Sequence, residues 1–506
     1  MLETIVRARP REWAALGVLT LAVVLLAVDG TVLALAVPAL TEALEPTATQ
    51  VLWIGDIYSF ALAGLLVTMG NVADRIGRKR LLLIGSVGFG IASVLAAFAP
   101  TAEWLIAARV LLGVAGATLM PSTLSIVRAI FVDPRQRMRA IAIWSAGATG
   151  GAALGPLVGG ALLEHFWWGS VFLINVPVII VILIAGVILL PESRNPNPGR
   201  IDLVSALMSV LAIVPTVYAV KHAVSDGLDW TVPAALVVGV GSGVLFVRRQ
   251  RGLDHPLIDL DLFRIPAFSG AVVANSLSVF AFSGLLFFFS QYLQLVRGFS
   301  PLQAGIAELP GTIASIAVIA VIGFIMARLG RGRAIGAGLA VAALGMGILA
   351  VAEGLPGYAG LAIALAVVGL GVGVSMTLAT DAVIAAAPRD RAGAASAISE
   401  TGYELGVALG IALLGSLQTA LYRANLALPA SLDAATTDAV TESLASAHAT
   451  LQGQGAEATR ILEEAQHAFT IGMQVTSLCA AALLAIAGVV AARIIPSTKE
   501  THPVEH

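Results

Sequence analysis

Fourteen stretches of mostly apolar residues follow one another along this chain, each about 20 residues long and so able to cross the core of a bilayer as a helix. A helix satisfies its own backbone hydrogen bonds, so repeated runs of this length point to an all-α polytopic membrane protein. The runs are expected at 14–36, 50–70, 81–99, 104–126, 140–163, 170–190, 201–220, 231–247, 268–292, 303–327, 334–353, 358–382, 393–418 and 469–494. With 58% hydrophobic and 12% charged residues, a soluble domain of 506 residues could not cover its surface. The first run is too long for the core of a cleaved signal peptide and carries an acid, so it is expected to be retained. Of the 29 Lys and Arg, Lys221, Arg297, Arg423 and Arg460 fall in segments on one side and Arg109 within a span; the rest lie on the other side. The positive-inside rule then puts both termini in the cytoplasm.

The runs group as six, two and six. Polar segments set off the middle pair, giving a first six-helix bundle over 1–190, two inserted helices with flanking loops over 191–264, and a second bundle over 265–506. A long loop at 421–467 separates the last two spans. It reads equally as a mobile spacer or as part of an exit mouth, and its stretch 456–468 has helical character. Between the second and third spans lies Gly70-Asn-Val-Ala-Asp74-Arg75-Ile-Gly77-Arg78-Lys79-Arg80. Gly323-Phe-Ile-Met-Ala327-Arg328-Leu-Gly330-Arg331 repeats its spacing at the same place in the second bundle, with Ala327 in place of the acid. Recurrence at one place in both blocks implies a duplicated protein, two bundles facing each other across a pathway.

A charge near the middle of a span costs about 2.5–3.5 kcal/mol on insertion scales, so each calls for a reason. The candidates are Asp29, Asp56, Glu308, Asp381, Glu400 and Glu404, against one base, Arg109. Glu400 and Glu404 are four apart and share a helix face. Asp381 lies near a cytoplasmic end and suits a helix-end role, which Asp56 and Glu308 can also fill. A cavity lined by acids with little base suits a cation, and protons compete with cations for buried, neighbouring carboxyls. Aromatic residues flank these acids: Trp53 and Tyr58, Phe288 and Tyr292 among the rings of the ninth span, and Tyr403. Rings with carboxylates bind lipophilic cations, although several of the ninth-span rings must simply pack. Arg109 reads either as a proton-relay partner of Asp29 or as a structural hydrogen-bond hub. The fifth span carries Gly147, Gly150, Gly151, Gly155, Pro156, Gly159 and Gly160, a string that lets helix backbones approach closely around a bend.

With these residues the chain resembles the major facilitator superfamily, specifically the fourteen-helix drug:proton antiporters of the QacA, SmvA and LfrA kind. Gly70 to Lys79 looks like that superfamily's loop motif, Arg109 like its fourth-helix arginine, and Gly147 to Gly160 like the fifth-helix motif of exporters. Asp29-Gly30-Thr31-Val32 resembles the branch's first-helix signature, and Ser399 to Gly406 resembles the acidic thirteenth helix of the QacA-like subset. The resemblance implies two pseudo-symmetric bundles and export of cationic drugs such as quaternary ammonium compounds and dyes against protons; the excess of arginine over lysine points to a bacterium, and a monomer in its cytoplasmic membrane is expected. No Gly-x-x-x-x-Gly-Lys-Ser/Thr string occurs, so the expected energy source is an ion gradient, with no cofactor. Cys479 is the lone cysteine, which rules out a cysteine metal site, and no metal is expected. No enzyme constellation or nucleic-acid module is visible. Export of an endogenous metabolite or lipid is the alternative within transport. A non-transporting sensor or scaffold fits the intramembrane acids poorly, and a facilitative channel fits the duplicated halves poorly.

Overall fold

The computed structural model describes residues 8–194, 202–225, 227–253, 256–387, 392–429 and 432–497. Both termini, Arg391 and much of the polar segment 191–200 lie outside the described residues. Among the described residues fourteen helices are long and apolar enough to span a membrane, matching the fourteen runs. The first bundle comprises α1 (Pro10–Leu44), α2 (Ala48–Ile76), α3 (Arg78–Ala97), α4 (Ala102–Ile130), α5 (Pro134–His165) and α6 (Ser170–Leu189). The inserted pair is α7 (Leu203–Ser225) and α8 (Thr231–Gly252). The second bundle comprises α9 (Pro266–Val296), α10 (Pro301–Ala320), α11 (Arg331–Glu353), α12 (Ala359–Ala386), α13 (Ala395–Asn425) and, after two short helices α14 (Ala434–Glu442) and α15 (Leu444–Leu451), α16 (Ala456–Ile494). Local chemistry sets several of these starts. Thr47 with Gln50, and Ser300-Pro301 with Gln303, form capping boxes that satisfy the free N–H groups of α2 and α10.

Two buried cores form, one from α1–α6 and one mainly from α9–α16. They meet along two seams. On one seam α5 lies on α10: a methyl group at Gly160 would come within 2.7 Å of the Leu302 Cα, and Gly305 abuts the Pro156 carbonyl. On the other, α2 lies on α13, and α7 covers this seam from outside, packing Val217 with Phe60 of α2 and Ala408 and Ala412 of α13. At the start of α7, Asp202 takes an ion pair from Arg249 of α8 at 3.0 Å and a hydrogen bond from the Ser205 hydroxyl at 2.5 Å. Although burial raises the Asp202 pKa, those hydrogen bonds hold it down to about 2.

The segment 421–467 is largely helical. Asp433 caps α14 by accepting from the Thr436 N–H at 2.9 Å, and Ser443 caps α15 by accepting from Ser446 N–H at 3.1 Å. The 39-residue α16 is about 58 Å long at 1.5 Å per residue, well beyond a bilayer core. Its first turns therefore project past the membrane and carry 456–468. Glu442 joins this cap to both bundles, pairing with Arg423 of α13 at 3.2 Å and accepting from the Ala48 N–H at the start of α2. The bundles also close on each other at this cap end. Gln294 of α9 donates to the Leu35 carbonyl at 3.1 Å, and Gly55 and Leu52 of α2 meet Phe287, Ile411, Gly415 and their neighbours.

Candidate functional site

Asp29 lies in the middle of α1, buried where α1, α4 and α6 converge. One carboxylate oxygen accepts from Asn175 Nδ2 at 2.8 Å and the other lies 3.4 Å from Arg109 Nη1. Arg109 also donates through Nε to the Ile54 carbonyl at 3.0 Å and through Nη2 to the Gly55 carbonyl at 3.4 Å. Its guanidinium sits over the Tyr58 ring, 4.9 Å from the centroid. Five fixed N–H donors allow one arginine to serve an acid, two carbonyls and a ring together. Arg109 thus lies beside Asp29 and is at the same time a hub for backbone carbonyls. Asn175, which also donates to Ser93 Oγ at 3.1 Å, escapes sequence reasoning. Its one signal is an uncharged amide inside the most apolar of the spans, mean hydropathy 3.0.

Asp56, next to Gly55 near the cap end of α2, has a partner that hydropathy conceals. Lys221 belongs to α7, not to a loop, and it is wholly buried with Nζ 2.6 Å from Asp56 Oδ2. The ammonium also sits 3.8 Å from the centroid of the Trp53 ring. Among the described residues two bases are therefore buried within spans, Arg109 and Lys221, where the sequence suggested Arg109 alone. Lys221 directly follows the apolar run 201–220, so a run-based boundary places it outside.

Across the seam, Glu404 of α13 is buried beside Ser59 of α2 and within electrostatic reach of Tyr58. Tyr403 lies near both Glu404 and the half-buried Glu400. Asp29, Arg109 and Tyr58 thus form one polar cluster in the first bundle, and the buried Glu404, beside Ser59, approaches it from across the seam. Glu308 is buried in α10 near Ser290, with one oxygen lacking any hydrogen-bond partner among the described residues. Glu353, at the end of α11, is a buried acid the sequence reading missed; both its oxygens face the Ser477 hydroxyl, at 3.2 and 3.5 Å. Like Lys221, it stands at the edge of an apolar run.

Two site candidates stand apart. Asp381 is exposed and pairs with Arg331 at 2.9 Å, at the end of the bundle carrying the basic loops, because α12 runs past the bilayer core there. Tyr292 turns away from the seam into the second bundle's core, donating to the Glu353 carbonyl at 2.6 Å and stacking on Phe289. Phe288 does face the seam, packed on Phe287 and near Gly415.

In the loop motif, Asp74 pairs with Arg78 at 2.9 Å. Glu192 caps the start of α3, accepting from the Lys79 and Arg80 N–H groups at 3.2 and 3.3 Å, where a carboxylate is favoured. Gly77 (φ 112°) and Gly330 (φ 75°) take the same positive-φ backbone, open to glycine and little else, at the turn in the two copies. Lacking an acid at Ala327, the second copy borrows Asp381 from α12 for Arg331. The glycine string runs down one face of α5. Gly147, Gly151, Gly155 and Gly159 meet Thr20, Val24, Thr31 and Val32 of α1, and a methyl at Gly151 would come within 2.8 Å of the Val24 carbonyl. Gly160 and Pro156 instead meet α10, so α5 touches both halves; Gly70 lies near Pro121 of α4.

The model of the Major Facilitator Superfamily matches residues 19–411. The chain belongs to that superfamily. Superfamily members are membrane transporters rather than enzymes. This one is 48% identical over 486 residues, 96% of each chain, to the "Multidrug efflux pump LfrA" of Mycolicibacterium smegmatis. It is 37% identical over 495 residues, 95% of this chain and 97% of the relative, to the "Methyl viologen resistance protein SmvA" of Salmonella typhimurium. Its fold is similar to a bacterial homologue of the human lysosomal transporter Spinster in an inward-facing, unoccupied conformation. That match has a TM-score of 0.67 at 19% identity, over 97% of this chain and 98% of the other.

Proposed function

We propose that this protein exports lipophilic organic cations from the bacterial cytoplasm in exchange for protons, by alternating access between its two bundles. In this reading the basic-loop end and both termini are cytoplasmic, the cap end is outside, and the protein works as a monomer. The observation that carries it is the buried Asp29–Arg109–Tyr58 cluster of the first half, with the buried Glu404 of the second half beside Ser59 across the seam between the halves that must move. A carboxylate there must be matched by a base, a proton or a bound cation, because an unmatched buried charge is costly. Protons and cargo therefore exclude each other, which is what antiport requires. Tyr58 and Tyr403 add ring faces suited to a delocalised cation. The relatives fit this reading: one is named for multidrug efflux and another for resistance to methyl viologen, a dication. The loop motif of Gly70, Asp74, Arg75, Gly77 and Arg78 is the gating element of this cycle, holding the cytoplasmic side shut when the outer side is open. A proton moving inward supplies about 2.3 kcal/mol per 100 mV plus the pH term.

The test is uptake of ethidium into inverted vesicles holding an inside-acid gradient. Accumulation that collapses on adding a protonophore is expected; accumulation that survives it removes proton coupling.

A further inference from the structure

Apart from their mutual ion pair, Lys221 Nζ and both Asp56 oxygens have no hydrogen-bond partner among the described residues. An ammonium offers three donors and a carboxylate about four acceptor positions, so the pair uses little of either. A buried ion pair with so little support holds helices together poorly, since desolvation offsets most of the Coulomb gain and apolar side chains would serve as well. Apolar side chains already do so here, because α7 is seated on the α2–α13 seam by Val217, Phe60, Ala408 and Ala412. What a carboxylate beside an indole face does well is hold a cation, and Lys221 sits where that cation belongs, 2.6 Å from Asp56 and 3.8 Å from the Trp53 ring centroid.

We propose that Asp56 and Trp53 form a cation-binding site of the transport pathway, and that Lys221 is its tethered occupant, an internal cation that the cargo must displace. The proposal rests on the cation-export reading above. It gives the inserted pair a role in transport, because α7 brings the occupant to a site built on α2. With Lys221 in place, the empty carrier can change conformation without a bare carboxylate in the membrane. Once displaced, Lys221 has a way out: it lies four residues from Ser225, where α7 ends, and its long stem can snorkel toward the cap-end surface. The exchange also selects cargo. Returning a strongly hydrated ammonium to water is favourable, and a weakly hydrated, delocalised cation is cheaper to bury than a compact one. Lys221 therefore discriminates against small hydrated cations and admits lipophilic ones.

The experiment is equilibrium binding of radiolabelled tetraphenylphosphonium to the purified full-length protein. Lys221→Met is expected to tighten binding about tenfold, and the gain is expected to vanish when Asp56→Asn or Trp53→Leu is added. Lys221→Arg keeps the charge and the fold while gripping a carboxylate more firmly, and is expected to weaken binding. Unchanged affinity in both single variants would reduce Lys221 to a brace and overturn the proposal. A second readout does not depend on export. Butylammonium should raise the unfolding temperature of Lys221→Ala, but not that of the wild type or of Lys221→Ala with Asp56→Asn. A wild type that ignores tetraphenylphosphonium sinks the export reading, and the butylammonium arm then decides the occupant by itself. No stabilisation of Lys221→Ala there overturns it.

Discussion

In the first bundle the buried acids face bases, Asp29 with Arg109 at 3.4 Å and Asp56 with Lys221 from the inserted pair at 2.6 Å. In the second, Glu308, Glu353 and Glu404 face hydroxyls of Ser290, Ser477 and Ser59. The two pseudo-symmetric bundles share a six-helix plan and differ in how their buried acids are matched. The loop motif diverges the same way: Asp74 pairs with Arg78 four residues on, while Arg331 reaches across to Asp381 on another helix. Paired acids can trade one partner for another with little change in charge. Acids facing only hydroxyls must be matched by something that arrives, a proton or a cargo cation. The contrast points to a division of labour, with acids that exchange one cationic partner for another in the first half and acids without a resident base in the second.

Replacing Asp29 should break this division most severely. Asp29→Asn keeps the Asn175 contact but leaves Arg109 without its acid, and is expected to lower proton-driven dye efflux by about a hundredfold or more. Substrate-induced proton release from the purified, detergent-solubilised variant checks it. Wild-type release together with continued pumping would move coupling to the α13 acids. A smaller loss, about tenfold, is expected for Glu404→Gln, and it should fall more heavily on divalent dyes than on monovalent ones, with Glu400→Gln showing the same bias. Inhibition constants for a matched pair of dyes decide this, and equal losses would show that α13 does not read charge.

The two loop copies offer a gentler test. Asp74→Asn is expected to slow transport about fivefold at equal expression, whereas Asp381→Asn, which removes an exposed pair, should stay within about twofold. Equal turnover in the two variants would erase the distinction between the copies. The smallest effect is expected at Glu353, which the proposed route does not use. Glu353→Gln preserves its shape and its contact with Ser477, so efflux per folded molecule should remain within about twofold. A large loss there would place a proton-carrying group deep in the second bundle and blur the division.

The sequence alone determined the number and order of the membrane helices, because the cost of burying a segment depends on its own residues and is read by summing along it. It also determined the duplicated loop motif, the acids inside the spans, and the close-packing face of α5, whose glycines recur at helical spacing. Tertiary structure alone decided what each charge meets. Lys221 and Glu353 stand at the ends of apolar runs, where hydropathy cannot separate a buried end from a wetted one, and only the packing of α7 on α2 and of α16 on α11 put them inside. Asp381 and Tyr292 left the candidate site for a related reason: a run of apolar residues fixes a helix's length, while its neighbours fix its rotation and depth. Asn175 became a partner of Asp29 through contacts 146 residues apart, and the segment 421–467 became a cap because both bundles offered it surfaces. Charge pairing in a membrane is settled by side chains from distant helices meeting in a medium without water, and no local pattern along the chain encodes that meeting.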